Sequence, residues 1–169
     1  MIRQLSILVC VALCFLPAVN AAKKTSLNEW PQWRGPNRDG ISPETDLLDR
    51  WPKGGPPLAW KATGLGGGFS SLAVVDGKIY TLGNRQGKEH LTALDAATGK
   101  ILWSTPIGGG DHSNGTPTVD GDRVYAIGLK GDLVCAKIAD GQIVWRKNFA
   151  ADFGGKMMSG WGFSESPLV

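Results

Sequence analysis

The residues of this chain that could do chemistry lie near its C-terminal end. Glu165 stands between two serines, Ser164 and Ser166, four residues after Trp161. A carboxylate among hydroxyl oxygens can hold a calcium ion or a polar substrate, and an indole ring adds a flat apolar surface. The alternative is a solvated acid beside a turn, and the sequence favours this alternative. Trp161, Ser164 and Glu165 are therefore candidate binding residues, with no catalytic role assigned.

The two histidines are weaker candidates for a site. His112 follows Asp111, but two such residues without a third ligand make a poor metal site. His90 follows Glu89 at the start of a predicted strand, and we expect it to be exposed. The sequence therefore predicts no metal site.

The charge balance limits the class of partner. The chain has 18 Lys and Arg against 15 Asp and Glu, a formal net charge of +3. Basic and acidic residues are interspersed, and no basic run exceeds Lys23-Lys24. Nucleic acid and anionic membrane surfaces are therefore not expected partners.

The first 21 residues predict an export signal. Arg3 precedes an apolar run from Leu5 to Val19, and Val19-Asn20-Ala21 offers small residues where a signal peptidase reads. The run is short for a membrane-spanning helix, which needs ~20 apolar residues. We expect cleavage after Ala21 and an exported protein, periplasmic or extracellular, with no transmembrane segment after cleavage.

The cysteines agree with a fold that needs no disulfide. Cys10 and Cys14 lie inside the predicted signal, which leaves Cys135 in the mature chain. One cysteine cannot form an internal bridge, although an exported protein is in a compartment that allows one. We expect Cys135 to be a small buried residue on a strand rather than a reactive thiol.

Three tryptophans recur along the chain at a nearly constant spacing. Trp60, Trp103 and Trp145 are 43 and 42 residues apart, and each ends a similar apolar phrase. A period in the low forties is typical of chains built from stacked supersecondary units. The elements that position the candidate residues are therefore expected to be repeats.

The segments between the tryptophans predict an all-β fold of four-stranded antiparallel units. Short apolar or alternating runs separated by turns fill residues 70–105 and again residues 115–147, without helical periodicity. Asp76-Gly77 is a two-residue hairpin turn, which we align with Asp120-Gly121, as we align Tyr80 with Tyr125. These two units predict two complete blades of a β-propeller.

Single strands are left over at both ends of the two units. The segment around Trp60 is a last strand without the three before it, and residues 164–169 form a first strand without successors. A propeller needs typically about 4–8 blades, so we predict an N-terminal fragment of a longer ring. The alternative is a short product that oligomerises or stays open, with an edge prone to aggregation.

The first unit carries a motif of a known superfamily. Residues 93–103, ALDAATGKILW, resemble the tryptophan-docking motif of the quinoprotein alcohol dehydrogenase-like superfamily. Gly99 permits a tight turn between the third and fourth strands, and Asp95 can accept hydrogen bonds from turn amides. Trp103 supplies a large ring that packs between blades, as does Trp60 in its own strand.

The second unit departs from this motif. Ala136 and Trp145 remain from the pattern, and Gly141 corresponds to the turn glycine. Ile138 stands where the aspartate stands in the first unit, and the turn is interpreted as one residue shorter. We expect docking by Trp145 to survive this change.

The resemblance extends to the PQQ-like β-propeller repeat proteins and covers residues 22–169. It divides the chain into an N-terminal arm, residues 22–56, and propeller repeats, residues 57–169. The arm contains the pattern WPQWRGPNRDGIS, which begins at Trp30. It implies an eight-bladed or, as an alternative, seven-bladed ring. Arg34 is expected to act with tryptophans of the arm as a structural clasp, and Trp161, Ser164 and Glu165 fall near the mouth of the central channel.

The resemblance implies two different functions. The first is a non-catalytic scaffold that presents its channel-mouth loops to protein or glycan partners. The alternative is a dehydrogenase of alcohols or sugars that uses pyrroloquinoline quinone and calcium, with its catalytic residues in later blades. This branch commonly carries two adjacent cysteines, which the chain lacks, so the scaffold is the leading hypothesis.

Overall fold

The computed structural model describes residues 29–169. The predicted signal peptide, residues 1–21, with Cys10, Cys14 and the cleavage site, lies outside the described residues, as does the start of the N-terminal arm. The elements, in chain order, are β1 (Ala73–Val75), β2 (Lys78–Arg85), β3 (Lys88–Asp95), β4 (Ile101–Gly109), β5 (Thr118–Asp120), β6 (Arg123–Ile127), β7 (Asp132–Lys137), β8 (Ile143–Asn148) and α1 (Phe149–Phe153). Within residues 29–169, no helix has both the length and the apolar character needed to cross a membrane.

The eight strands form two four-stranded antiparallel sheets, as the sequence predicts. Their orders are β1-β2-β3-β4, here called blade one, and β5-β6-β7-β8, here called blade two. Blade one is connected by two-residue turns at Asp76-Gly77 and Gln86-Gly87, in which both residues have positive φ. Turns of this kind match the twist of the flanking strands and therefore favour hairpins.

The first hairpin of blade two differs from the predicted alignment by one residue. Thr118 pairs with Tyr125 as Ala73 pairs with Tyr80, so the tyrosines do correspond. Asp120, however, lies inside the ladder opposite Arg123. The turn is therefore Gly121-Asp122, and the alignment of Asp120-Gly121 with Asp76-Gly77 is wrong. Gly121 takes the positive φ (54°) at the first turn position, where glycine has no steric penalty.

The two blades share one hydrophobic core. It is built from inward-facing side chains of both sheets and includes Tyr80, Leu91 and Ile107 of blade one and Val124 and Val134 of blade two, all fully buried. Apart from Leu91, these residues are β-branched or aromatic, types that suit a pleated surface. Packing of one sheet on the other thus fixes the positions of the strand ends.

Tryptophans dock each unit onto the next. Trp60 Nε1 donates to the Ala96 carbonyl oxygen (3.0 Å), and its ring lies against Gly99. Trp103 of blade one repeats this contact on blade two: its Nε1 donates to the Ile138 carbonyl oxygen (3.1 Å). In both cases the acceptor lies three residues before the glycine under the ring. A side chain at that glycine would collide with the indole.

The docking turns of the two blades have the same length, which corrects the predicted alignment. Trp145 pairs with Cys135 in the β7–β8 ladder as Trp103 pairs with Ala93 in the β3–β4 ladder. Cys135, not Ala136, therefore occupies the Ala93 position. In both ladders a register shift directly follows this pair, so the extra residue sits in a bulge rather than in the turn.

The same register places a lysine where the motif has its aspartate. Gly141 N donates to the Lys137 carbonyl oxygen as Gly99 N donates to that of Asp95, so Ile138 is not the counterpart of Asp95. Asp95 Oδ1 accepts from Thr98 N (2.8 Å) and Thr98 Oγ1 (2.7 Å), and these bonds lower the pKa of Asp95. In blade two, Asp140 Oδ1 accepts from Gln142 N (2.9 Å) instead. The carboxylate that accepts a hydrogen bond from a turn amide is therefore at a different position of the turn in each blade.

The N-terminal arm runs along the first strands of both blades. Trp30 and Val74 exchange two backbone hydrogen bonds of 2.8 Å, and Val119 N donates to the Pro31 carbonyl oxygen at 2.8 Å. The arm therefore joins β1 to β5 on the side away from the β2 and β6 partners. Its next residues turn sharply, and Gly35 (φ 80°) lies under the Trp30 ring.

Cys135 is buried on β7 and has no disulfide partner among the described residues. Burial raises the pKa of its thiol, and the thiolate is the reactive form. We expect a thiol reagent to label Cys135 at least about 100-fold more slowly in the native protein than in denaturant. Peptide mapping by mass spectrometry identifies the labelled residue. Equal rates in both conditions would show that β7 is accessible in the native state.

Candidate functional site

The segments that precede β1 and β5 lie side by side with the C-terminal residues 164–166, which were predicted to begin a strand but are not in one, and together they form one surface, here called the mouth. It comprises residues 69–71 before β1, residues 114–116 before β5, and the extended residues 164–166. Phe69 N donates to the Ser113 carbonyl oxygen (2.6 Å), which joins the first segment to the second. Thr116 N donates to Ser166 Oγ (3.0 Å), which joins the second to the third.

The C-terminal segment is held in this position by further side-chain bonds. Asn114 Nδ2 donates to the Trp161 carbonyl oxygen (2.7 Å) and to Ser164 Oγ (3.1 Å). Thr118 Oγ1 donates to the Pro167 carbonyl oxygen (2.6 Å). Residues 161–167 thus lie beside blade two where the first strand of a following unit belongs in a propeller.

A cleft of about 460 Å³ opens at the mouth. Its lining combines two aromatic rings with small polar side chains and one carboxylate: Trp33, Phe69, Ser71, Asn114, Thr116, Ser164, Glu165 and Ser166. The rings are largely exposed, at 54% for Trp33 and 73% for Phe69. This size lies in the range of small-ligand pockets, about 300–1,000 Å³.

Two of the three predicted binding residues line this cleft. Ser164 lines it and accepts from Asn114, and Glu165 lines it with its carboxylate exposed. Glu165 Oε2 also accepts from Ser164 N (2.9 Å), which fixes the carboxylate beside the strand start. Trp161 stands next to the cleft: its carbonyl oxygen holds Asn114, while its indole is exposed outside the lining.

Sequence reasoning missed the aromatic part of the cleft. Phe69 precedes β1, and Trp33 comes from the N-terminal arm, which reaches the mouth by pairing with Val74 and Val119. The Arg34 guanidinium lies 5.4 Å from the centre of the Trp33 ring, so Arg34 does stack on an indole. A second cavity, of about 200 Å³, is lined by Pro31 of the arm and Val119 of β5.

Asp111 and His112 lie beside the mouth. His112 Nδ1 is 2.7 Å from Asp111 Oδ1, and the His112 ring meets the Phe69 ring edge-on, with centres 6.0 Å apart. His112 Nε2 is buried and has no hydrogen-bond partner among residues 29–169. In that range, no group of three or more His, Cys, Asp and Glu is arranged to hold a metal.

Glu89 is a second residue that sequence reasoning missed. Its side chain is fully buried (0% exposed), and Oε2 accepts from Leu129 N (2.7 Å) in the β6–β7 connection. It therefore joins blade one to blade two directly below the mouth. Gly110 and Gly128 leave room for it: a Cβ on Gly128 would lie 2.6 Å from Glu89 Oε2. Burial raises the pKa of Glu89, and the hydrogen bond from the Leu129 amide lowers it by less, so the pKa is raised overall.

The cleft does not fit pyrroloquinoline quinone, which is a tricarboxylate. Glu165 is the one charged residue among those that line it, and its carboxylate repels an anion. A calcium site needs six to eight oxygen ligands, commonly with several carboxylates, whereas Glu165 supplies the one carboxylate in the lining. The residues that line the described part of the mouth therefore do not fit this cofactor.

Comparisons with known proteins place these features in context. A family model described as outer membrane protein assembly factor BamB matches residues 49–147, more than half of the chain. The assembly factor BamB of Aliivibrio fischeri is 24% identical over 96 residues, which cover 52% of this chain and 24% of that protein.

Solved structures that are similar to the chain include the following two. The quinohemoprotein alcohol dehydrogenase from Comamonas testosteroni covers 79% of this chain with 22% identity and a TM-score of 0.52, over 21% of its own length. BamB from Moraxella catarrhalis covers 53% of this chain and 27% of its own, with 24% identity and a TM-score of 0.44. The chain thus spans about a quarter of the length of these proteins. The predicted all-β propeller fold is confirmed; the number of blades stays a prediction.

Proposed function

The chain belongs to the family of the outer membrane protein assembly factor BamB, and we propose that it is an exported scaffold propeller. In this proposal it binds a protein partner at the mouth and catalyses no reaction. The relative from Aliivibrio fischeri is named an outer membrane protein assembly factor. This name supports a protein as the partner rather than a glycan.

The exposed rings of Phe69 and Trp33 in the mouth cleft carry this proposal. Large aromatic side chains are normally buried, and exposed ones gathered in a concave site are typical of binding surfaces. The backbone around them is held by bonds between three successive units, such as Thr116 N to Ser166 Oγ. A rigid surface of this kind binds without first losing conformational entropy.

Export rests on the predicted signal peptide, residues 1–21. We expect the mature protein, purified from the cell envelope, to begin at Ala22 when its N-terminus is determined by mass spectrometry. An unprocessed N-terminus in a cytoplasmic fraction would contradict export.

Photo-crosslinking in cells tests the binding role. A photoreactive amino acid at Phe69 is expected to give a covalent adduct with one protein, whereas the same amino acid at the exposed turn residue Lys100 is not. Full-length protein supplied with pyrroloquinoline quinone and calcium, then assayed with alcohols, sugars and a dye acceptor, tests the alternative. Dye reduction would overturn the scaffold proposal.

Alanine substitutions at the two rings measure their contribution. Phe69→Ala and Trp33→Ala are each expected to weaken the complex at least about 10-fold, because exposed aromatic residues are frequent hot spots of binding. Titration of the purified partner measures the affinity. The melting temperature of each variant serves as the control and is expected to stay nearly unchanged. Affinities equal to that of the unsubstituted protein would place the interface elsewhere.

A further inference from the structure

We propose that the mouth cleft receives a basic side chain, lysine or arginine, that the protein partner presents. This inference rests on the proposed function and names the chemistry of the contact. A carboxylate and two aromatic faces at one cleft are the groups that together attract a cation in preference to a neutral or anionic group.

The charge of the cleft supports a cationic ligand. Glu165 is the one charged residue that lines it, and its carboxylate is exposed beside Ser164. Glu165 Oε2 accepts from Ser164 N (2.9 Å), so the carboxylate is held in place and the group remains an acceptor for a guanidinium or ammonium donor.

A second carboxylate flanks the aromatic wall. Asp111 is 85% exposed in its side chain and lies 2.7 Å from His112 Nδ1, and the His112 ring packs edge-on against Phe69. Glu165 thus lines the same cleft as Phe69, and Asp111 is joined to Phe69 through His112. Counted with the Arg34 guanidinium beside Trp33, these charged groups are two carboxylates and one cation, although the whole chain has a net positive charge.

The protein already shows this kind of contact within its own chain. The Arg34 guanidinium lies 5.4 Å from the centre of the Trp33 ring, inside the range of about 6 Å for a cation over an aromatic face. The Trp33 ring is nevertheless 54% exposed, so area remains for a second group. Arg34 holds the ring in a fixed orientation from its own side.

A peptide titration tests the charge requirement. The probes are short amidated peptides with a central arginine, a central lysine, or a central citrulline, which has nearly the shape of arginine without its charge. Binding to the full-length protein is measured by isothermal titration calorimetry. We expect the arginine peptide to bind at least about 10-fold more tightly than the citrulline peptide, with affinity falling as salt rises.

Substitutions locate the contact. Glu165→Gln keeps the shape and removes the charge, and it is expected to weaken the arginine peptide about 5–10-fold and to flatten the salt dependence. Asp140 is an exposed acid in the docking turn of blade two, and Asp140→Asn is the matched control, which is expected to leave the affinity for the arginine peptide unchanged. Equal binding of arginine and citrulline, no binding at millimolar peptide, or an unchanged affinity in Glu165→Gln would each overturn the inference.

The crosslink at Phe69 separates this inference from the proposed function. If the adduct with a protein partner forms and Glu165→Gln leaves its yield unchanged, the basic contact is wrong and the scaffold function stands. If no adduct forms at the mouth, the function itself fails. Binding of an uncharged oligosaccharide that Glu165→Gln does not weaken would identify a glycan site instead.

Discussion

Replacing Trp103 by alanine is expected to lower the free energy of unfolding by about 3 kcal/mol. The indole packs between the two blades, where its ring centre lies 6.0 Å from that of Tyr80 and its face covers Gly141. Its Nε1 donates to the Ile138 carbonyl oxygen (3.1 Å), so alanine removes an inter-blade hydrogen bond as well as the packing. Denaturant unfolding followed by circular dichroism measures the change.

Two further variants separate packing from hydrogen bonding. Trp103→Phe keeps most of the ring and removes the Nε1 donor, so we expect a loss of about 1 kcal/mol. Lys100→Ala changes an exposed residue of the same strand connection and is expected to stay within about 0.5 kcal/mol. If Trp103→Ala were no more destabilising than Lys100→Ala, the tryptophan would not hold the blades together.

The repeat could be predicted from the sequence because its strongest signals are local. Each docking glycine lies four residues before the tryptophan of its own blade, at Gly99–Trp103 and Gly141–Trp145, so the turn and the fourth strand are visible in the sequence of both blades. The register of the third strand is not local. A bulge after Ala93 and another after Cys135 shift the pairing of the third and fourth strands by one residue. Because Cys135 and Ala136 are both small, the sequence allows either of them to be aligned with Ala93.

The mouth could be predicted only in part, for a related reason. Ser164 and Glu165 could be predicted because they begin the segment 164–169, which resembles a first strand in the sequence. Trp33 reaches the cleft only because Trp30 pairs with Val74, a contact between segments more than forty residues apart. This pairing depends on how the arm packs against β1 and β5, which lie far from Trp33 in the sequence.

Glu89 was missed because its surroundings in sequence are polar. Lys88 and His90 flank it, which indicates an exposed strand end, and the groups that bury it come from blade two. Gly128 and Leu129, which give it space and a hydrogen bond, lie about forty residues later. Burial of a carboxylate is therefore a property of the packed pair of blades.

Replacing Glu89 by alanine is expected to destabilise the protein by about 2–4 kcal/mol at neutral pH. The change leaves the Leu129 amide without its acceptor in a buried place and opens a cavity between the blades. The Ser113 hydroxyl, which loses its contact with the carboxylate, and His112 Nε2, which is buried without a hydrogen-bond partner among the described residues, would then face this cavity or the water that enters it. Unfolding by denaturant measures the loss.

Glu89→Gln instead tests the charge, through the pH dependence of stability. Burial is the main cause that raises the pKa of Glu89 in the folded state, and Asp132 on β7 raises it further, whereas the Leu129 amide, the Ser113 hydroxyl and His112 lower it. The folded state therefore binds a proton more tightly than the unfolded state. This contribution to stability is complete below the ordinary glutamate pKa and is lost as pH rises through the raised pKa.

Glutamine imitates the protonated carboxyl, so Glu89→Gln is expected to remove this loss. Its carbonyl oxygen can still accept from Leu129 N, and its amide can donate to Ser113 Oγ or to His112 Nε2, which has no other partner among the described residues. Measured from about pH 4 to about pH 8, the stability of the unsubstituted protein should fall relative to that of Glu89→Gln as pH rises. A parallel pair of curves would show that the Glu89 pKa is the same in the folded and unfolded states, whereas a gain relative to glutamine would show that the Leu129 bond outweighs burial.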